Sequence, residues 1–389
     1  MKKTIIINNG STSKKYAFFD NENYLFFGHY EETPNGFLVI EKLKSVEKEE
    51  KINKEIFANS FSDFVNKLLD YKLIESEDDI TSVAIRIVAP GKIFQKHQIV
   101  DDDFLYALDQ VYNLSSLHLK PVKEEIFNIK ERLGNKKILA ISDSAFHSDL
   151  PDVARIYAIP ESIAEKKEIY RYGYHGISVA SVYNKFIKNY GPAEKIIVCH
   201  LGGGSSITAI KNGKSVDTSM GFSPLEGLPM ASRIGGIDPN ALITIMDSED
   251  FDPAEMQNFM YKECGMLGIS GLSSDTRVLI EEASKKNYRA DLALNFYAYN
   301  VKKYIGQYYA VLGGLDAIIF TGTIGERSAE MRQRICNDLE SLGIKIDLSK
   351  NKLKVNDDGL INDDNSTAKI AVLKTAEIEE MARIAFEIS

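Results

Sequence analysis

The chain has 389 residues, 44% of them hydrophobic and 26% charged, with a net charge of -9. Such a length predicts two domains of roughly 150 to 200 residues rather than one small module, and the composition excludes a disordered or collagenous chain. With 56 Asp and Glu against 47 Lys and Arg, a broad phosphate-backbone footprint is disfavoured and no nucleic-acid partner is expected.

In chain order, the apolar run Ile5-Ile6-Ile7 reads as a strand and stops at Asn8-Asn9-Gly10. It is too short for a signal-peptide core, and no later stretch approaches the length of a membrane span, so a cytoplasmic protein without a membrane partner is expected. A Gly/Ser-rich turn at 8–13, a strand at 15–19, a turn at 21–23 and a strand at 24–30 complete a β-meander. Strands at 83–88 and 137–142 follow. At 195–200, 202–206, 207–210 and 212–213 the same succession of strand, Gly/Ser turn, strand and turn returns, which implies two related halves. Residues 252–255 (Asp-Pro-Ala-Glu) carry a capping-box helix start, with Gly265 as its stop. A strand at 316–321 leads through 321–326 (Thr-Gly-Thr-Ile-Gly-Glu) into a helix marked by Met331, Ile335 and Leu339. Residues 355–367 are polar and turn-rich, an exposed loop or hairpin. Strands alternating with helices make an α/β class. Cys199, Cys264 and Cys336 stand far apart without CxxC spacing, so neither a disulfide framework nor a thiolate zinc site is indicated.

Several residues carry chemistry. Both Gly/Ser turns place bare N–H groups and hydroxyls where an anion could approach, and matching contexts favour phosphate clamps over plain turns. The turn at 321–326 sits where nucleotides commonly bind α/β sheets, yet matches neither Walker A nor GxGxxG. Of six histidines, His118, His147, His175 and His200 lie in segments crowded with functional residue types. Glycines flanking His175 would let a ligand approach. Arg86, inside an apolar strand, and Arg233, among small residues, each require an anionic ligand or a buried ion pair. Asp143 and Glu377 could serve magnesium or a helix N-terminus.

Together, residues 8–13 (Asn-Asn-Gly-Ser-Thr-Ser), 143–147 (Asp-Ser-Ala-Phe-His), 171–176 (Arg-Tyr-Gly-Tyr-His-Gly), 200–206 (His-Leu-Gly-Gly-Gly-Ser-Ser) and above all 212–228 (Asn-Gly-Lys-Ser-Val-Asp-Thr-Ser-Met-Gly-Phe-Ser-Pro-Leu-Glu-Gly-Leu) resemble the acetate kinase family. The resemblance continues in family order through 237–239, 270–275, 320–326 and 375–377 and covers essentially the whole chain. It implies duplicated ribonuclease H-like, actin-like ATPase domains, 1–147 completed by the terminal helix 377–389 and 148–376, with the active site in the interdomain cleft. It implies ATP:acetate phosphotransfer giving acetyl phosphate and ADP, with Mg2+ or Mn2+, in a homodimer. Arg86 and Arg233 would grip the carboxylate and the phosphoryl group, and His175 would stabilise the group in flight. Asp143 and Glu377 would serve the metal and its waters, Asn8 would face the terminal phosphate with Ser11, Thr12 and Ser13, and Asn8 would also reach the metal. Val88, Leu117, Tyr174 and Pro224 would wall the methyl pocket. The nucleotide would meet Lys15, His200, Leu201, Gly202, Gly203, Gly204, Asp275, Thr276, Arg277, Gly322, Thr323, Ile324, Gly325 and Glu326.

The sequence departs from the family pattern at Ala89-Pro90, where His-Gly is usual, at Gly203 and Arg327, each in place of Asn, at Gly236 in place of Asp, and at Thr323 in place of Gly. Leu119, Ile177 and Val179 likewise replace Asn, Thr and His. Rival readings are a propionate or butyrate kinase, a different donor such as pyrophosphate, and a catalytically silent nucleotide-binding sensor.

Overall fold

Apolar, β-branched runs buried on both faces of a sheet become its central strands, and the chain builds two such sheets. The structure, a computed structural model, describes residues 2–10, 13–111, 116–354 and 357–388, and all of their side chains except those of 116–118. Two compact units form, Met1–Ala145 with Ala376–Ser389, and Phe146–Thr375.

In the first unit the strands are β1 (Lys3–Asn9), β2 (Ser13–Asp20), β3 (Asn23–Thr33), β4 (Gly36–Leu43), β5 (Val46–Ile52), β6 (Ser82–Ile87), β7 (Gln98–Ile99) and β8 (Lys137–Ser142). Their order is β5-β4-β3-β2-β1-β6-β8-β7. The second unit uses β9 (Lys195–Leu201), β10 (Ser205–Lys211), β11 (Lys214–Thr218), β12 (Ala317–Thr321), β13 (Gly359–Leu360) and β14 (Lys369–Val372) in the order β11-β10-β9-β12-β14-β13. In each sheet three antiparallel strands are followed by two parallel ones, β3-β2-β1-β6-β8 in one and β11-β10-β9-β12-β14 in the other. The repeated hairpin read from the sequence is therefore a repeated sheet.

Strand alternation sends successive side chains to opposite faces. Ile5 and Ile7 join a core with residues of the helices Ser60–Asp70 and Ser116–Leu133, so Ile6 and Asn8 turn the other way, where the helix Glu377–Ile388 packs on β1, β6 and β8. In the second unit Ile197, Cys199 and Leu201 pack with the helix Tyr288–Leu312, whereas Ile196 and Val198 pack with Val179, Val182 and Phe186 of the helix Gly176–Tyr190. His200 continues the second row.

Local differences from the sequence reading have physical causes. The capping box at Asp252 has both arms, but its helix ends at Lys262, and Gly265, at φ +61°, opens the next helix, Gly265–Ser270. The helix of Met331 and Ile335 stops at Cys336, because Asn337 is extended and Asp338 takes φ +61°. Leu339, beyond that helix, is buried in the core of the second unit. Residues 322–327 form a short helix of their own, and Ser328 caps a separate one by accepting from the Met331 N–H. His147 belongs with the second unit: its ring nitrogens bond Ser215 Oγ at 2.8 Å and the Tyr174 carbonyl at 3.0 Å. Within 355–367, β13 pairs antiparallel with β14, a hairpin in the part described. Among the described residues no helix is long and apolar enough to cross a membrane.

Candidate active site

In the first unit four predicted residues meet at the ends of parallel strands. Arg86, on β6, donates from Nη2 to Asp143 Oδ2 at 2.9 Å and from Nη1 to Asn8 Oδ1 at 3.2 Å, and its Nη1 lies 3.5 Å from Glu377 Oε2. Asn8 Nδ2 donates to the same Glu377 oxygen at 2.8 Å. The ion pair answers the question posed by Arg86. Burial opposes the guanidinium charge, and Asp143 and Glu377 more than offset it, so the Arg86 pKa is raised. Arg86 Nε is buried and makes no hydrogen bond among the described residues, which leaves one donor for an incoming oxygen. One cation against two carboxylates gives this set a net negative charge. Hard oxygen donors of that charge fit Mg2+, which is ordinarily held by one or two carboxylates plus substrate phosphates. Among the described residues no group of three or more His, Cys, Asp or Glu is disposed to hold a metal by itself. Lys15 is the cross-strand partner of Asn8 and sits beside this set. The Ser13 hydroxyl is bonded to His29 Nε2 at 2.8 Å. Ser11, Thr12 and the Leu117 side chain lie outside what the structure describes. Val88 is half-buried just past β6.

In the second unit the turn 202–204 separates a cavity from a pair of cationic or protonatable groups. A cavity of about 520 Å³ is lined by Gly202, Gly203, Asp275, Thr276, Arg277, Thr323 and Ile324 among the predicted nucleotide residues, and by Ala231, Ser274, Ile280, Arg327 and Ser328 besides. At Gly204, a Cβ would stand 3.2 Å from His175 Nε2 and 3.3 Å from Arg233 Nη1, so the turn, His175 and Arg233 converge. His175 holds φ +60° and precedes the helix Gly176–Tyr190, placing its ring at a positive helix end. Its Nδ1 bonds Ser206 Oγ at 2.9 Å, and its ring stacks on His200 at 4.1 Å. His200 Nδ1 bonds Ser178 Oγ at 2.8 Å, which in turn accepts from Thr375 Oγ1 at 3.0 Å.

Arg233 differs from Arg86. Its Nη1 reaches only the Pro224 carbonyl at 3.4 Å and Met230 Sδ at 3.8 Å, and its guanidinium lies 5.7 Å from the Tyr261 ring centroid. Among the described residues no carboxylate pairs with it. Burial pulls its pKa below the ordinary value, with Tyr261 opposing, yet a guanidinium stays charged at neutral pH. Of the proposed methyl-pocket residues, Tyr174 and Pro224 are buried in this unit, the Tyr174 hydroxyl donating to the Phe222 carbonyl at 2.7 Å.

The family model described as the acetokinase family matches residues 3–383. The chain belongs to this family. It is 39% identical over 395 residues to the acetate kinase of Methanosarcina mazei, covering 99% of this chain and 97% of that one, and 40% identical over 390 residues to the acetate kinase of Dictyoglomus turgidum, covering 98% and 96%. The crystal structure of Porphyromonas gingivalis acetate kinase is similar at a TM-score of 0.88 and 30% identity, and that of a propionate kinase from Francisella tularensis at 0.91 and 32%, each covering 100% of both chains.

Within this acetokinase chain some predicted residues support the site instead of lining it. The Glu326 carboxylate is buried and its Oε1 accepts from the Gly322 and Thr375 N–H groups, each at 3.0 Å, and from Thr321 Oγ1 at 3.3 Å. Gly322, at φ +76°, is where the turn presses on β9, and a Cβ there would lie 2.7 Å from the Leu201 carbonyl oxygen. Leu201 is buried, and neither it nor Gly325 lines the cavity. Gly173 makes room for His147, whose ring would be 2.5 Å from its Cβ, and not for a ligand. Sequence reasoning missed Ser178 and Tyr261 and held Ser206 and Thr375 only as members of motifs, since the roles of all four arise from contacts distant along the chain. The departures Thr323 and Arg327 both line the cavity.

Proposed function

We propose that the protein reversibly transfers the γ-phosphoryl group of ATP to acetate, giving acetyl phosphate and ADP. The observation that carries this reading is Arg233, a half-buried guanidinium with no carboxylate partner among the described residues, converging with His175 on a glycine turn that borders a cavity of about 520 Å³. A cation drawn partly out of water and left unpaired is costly unless an anionic ligand completes it.

The chemistry needs little else. Acetate is ionised at neutral pH and attacks without a general base, so catalysis reduces to alignment and charge neutralisation. The cavity would take the nucleoside, the N–H groups of Gly202–Gly204 the phosphates, and Arg233 and His175 the charge on the transferring group. The Arg86 Nε–H would hold an acetate oxygen beside Val88. Asp143, Glu377 and Asn8 would hold Mg2+, or Mn2+, whose charge offsets that of the phosphates. Manganese is the natural substitute because it favours the same oxygen donors. Three buried free cysteines accord with a cytoplasmic setting. A homodimer follows the family habit, and the exposed Tyr288, Phe296 and Tyr299 of the second unit offer apolar surface for it.

The test is a hydroxamate assay for acyl phosphate with acetate, propionate and butyrate as acceptors and ATP, GTP and pyrophosphate as donors. Acetyl hydroxamate formed with ATP and Mg2+ is the expected result. A higher kcat/KM for propionate would move the reading to the sibling kinase, and nucleotide binding without any acyl phosphate would make the protein a silent binder.

A further inference from the structure

The hairpin that presents Asn8 has a rear face, and that face holds a buried acid the reaction does not use. Strands β1 and β2 pair Ile7 with Tyr16 and Asn9 with Lys14 across the hairpin, so these four side chains share the face opposite Asn8. Against that face stands Glu125, from the helix Ser116–Leu133, with 1% of its surface exposed. The Tyr16 hydroxyl donates to Glu125 Oε1 at 2.8 Å and lies 2.9 Å from Ser60 Oγ. Lys14 Nζ is 3.9 Å from Glu125 Oε2 and donates to the Phe57 carbonyl at 3.3 Å. The Asn9 carboxamide faces both Tyr16 and Glu125, its polar atoms buried and outside any well-formed hydrogen bond among the described residues. Burial raises the Glu125 pKa, with Lys14 and Tyr16 opposing.

A carboxyl group in such a place costs stability unless its partners repay it. The three groups named on it, Asn9, Lys14 and Tyr16, all come from the hairpin, at or just beyond the bases of the turn 10–13. The Gly10 N–H donates to the Ser13 carbonyl at 2.7 Å, closing that turn. We propose that Glu125 is a positioning residue, which anchors the phosphate-facing hairpin from behind so that Asn8 is held toward Arg86 and Glu377. The inference rests on the phosphoryl-transfer reading for its kinetic consequence, while the anchoring itself is measurable without turnover.

The full-length protein and its variants Glu125→Leu, Glu125→Gln and Tyr16→Phe separate anchoring from bulk. Hydrogen exchange of the segment 6–16 is compared with that of 137–142, alongside kcat and KM for both substrates. In Glu125→Leu the hairpin amides should exchange about tenfold faster with 137–142 unchanged, and kcat should fall about tenfold at KM values within about twofold of wild type, since slack in a positioning element is lost from the transition state. Glu125→Gln keeps an acceptor for Tyr16 and should recover both readouts to within about threefold. A folded Glu125→Leu protein with wild-type hairpin protection and kcat would overturn the proposal. Should that variant not fold, Tyr16→Phe decides, because it deletes one hydroxyl and keeps the ring: faster exchange confined to 6–16 supports the anchor and unchanged exchange overturns it. Were the wild type itself to make no acyl phosphate, the functional reading would fall while the exchange comparison still ruled on Glu125.

Discussion

Two arginines of one chemical type stand in opposite electrostatic settings, and that contrast sets what each substitution does. Arg86 is neutralised by Asp143 and Glu377, whereas Arg233 has only carbonyl, sulfur and ring neighbours among the described residues. Replacing Arg233 by Ala should lower kcat by about 10² or more, with a melting temperature equal to or above wild type, because a desolvated charge is removed. Lys should rescue poorly, having a point charge where a fork is needed. Replacing Arg86 by Ala should cost activity and also about 3 kcal/mol of stability by stranding the buried Asp143 and the partly buried Glu377. Parallel melting and turnover measurements check the pair, and equal losses of stability would sink the distinction. A quieter residue is His97, whose Nδ1 accepts the Ser142 N–H at 3.1 Å, one residue before Asp143. Burial, and then Arg383, pull its pKa from 6.5 to about 4. A folded pKa below the unfolded one means the contribution is fully present above about pH 6.5 and is lost as pH falls toward 4, at most about 3 kcal/mol. His97→Asn, which keeps an acceptor that does not titrate, should flatten stability between those pH values in denaturant titrations. An unchanged pH slope would discharge His97.

At the scale of elements, the most demanding piece is the turn after β12. Gly322 is left-handed and packed against β9, with Leu201 N, C and O all within about 3 Å of where a Cβ would sit. Gly322→Ala should therefore push the 322–327 helix off β9 and weaken ADP binding by about tenfold, with the turn's strain added to the clash. Calorimetric titration of ADP reads this directly, and wild-type affinity would show that the turn does not shape the cavity proposed for the nucleotide. Arg332 shares the task, donating to the Gly325 carbonyl at 2.7 Å and the Glu326 carbonyl at 2.9 Å from a fully buried position. Elements of this kind separate what was legible from what was not. Strands 137–142 and 195–200 were plain in the sequence because central strands read as unbroken apolar runs. The helix breaks at Ser328 and Asn337 were not, since spacing-four apolar residues continue across them and only the tertiary path bends the backbone. Motif residues of the site were legible because glycines and charges stand out locally. Their supports, Ser206 under His175, Tyr261 over Arg233 and His97 behind Asp143, carry no local mark, as each becomes a neighbour only when distant parts of the chain fold together.

For the whole molecule the decisive feature is that the first unit is discontinuous. The chain leaves it after Ala145 and returns at Ala376, and what returns is the helix Glu377–Ile388. That helix buries Glu380, Met381, Ala382, Ile384 and Ala385 on the β1, β6 and β8 side of the sheet. Lys2 Nζ donates to the Phe386 carbonyl at 2.8 Å, joining the two ends of the sequence. Each fully buried Met or Ile side chain is worth about 1.5 to 3 kcal/mol, so losing Met381 and Ile384 alone removes an amount that reaches the lower end of the stability of an ordinary domain, about 5 to 15 kcal/mol. A chain ending at Thr375 lacks Glu377 as well, and with it the partner of both Asn8 and Arg86. The second unit keeps its own sheet, both helical layers and every residue lining the cavity proposed for the nucleotide. The truncated protein should thus lose protection of amides in β1, β6 and β8, make no acyl phosphate, and still bind ADP with an affinity within about threefold of the full chain. Hydrogen exchange by segment and ADP titration on the same sample test this. Intact protection in β1, β6 and β8 would show that the first sheet does not depend on the returning helix. Lost ADP binding would show that the second unit does not hold its cavity alone, and the folding of the two units would then have to be treated as one cooperative event.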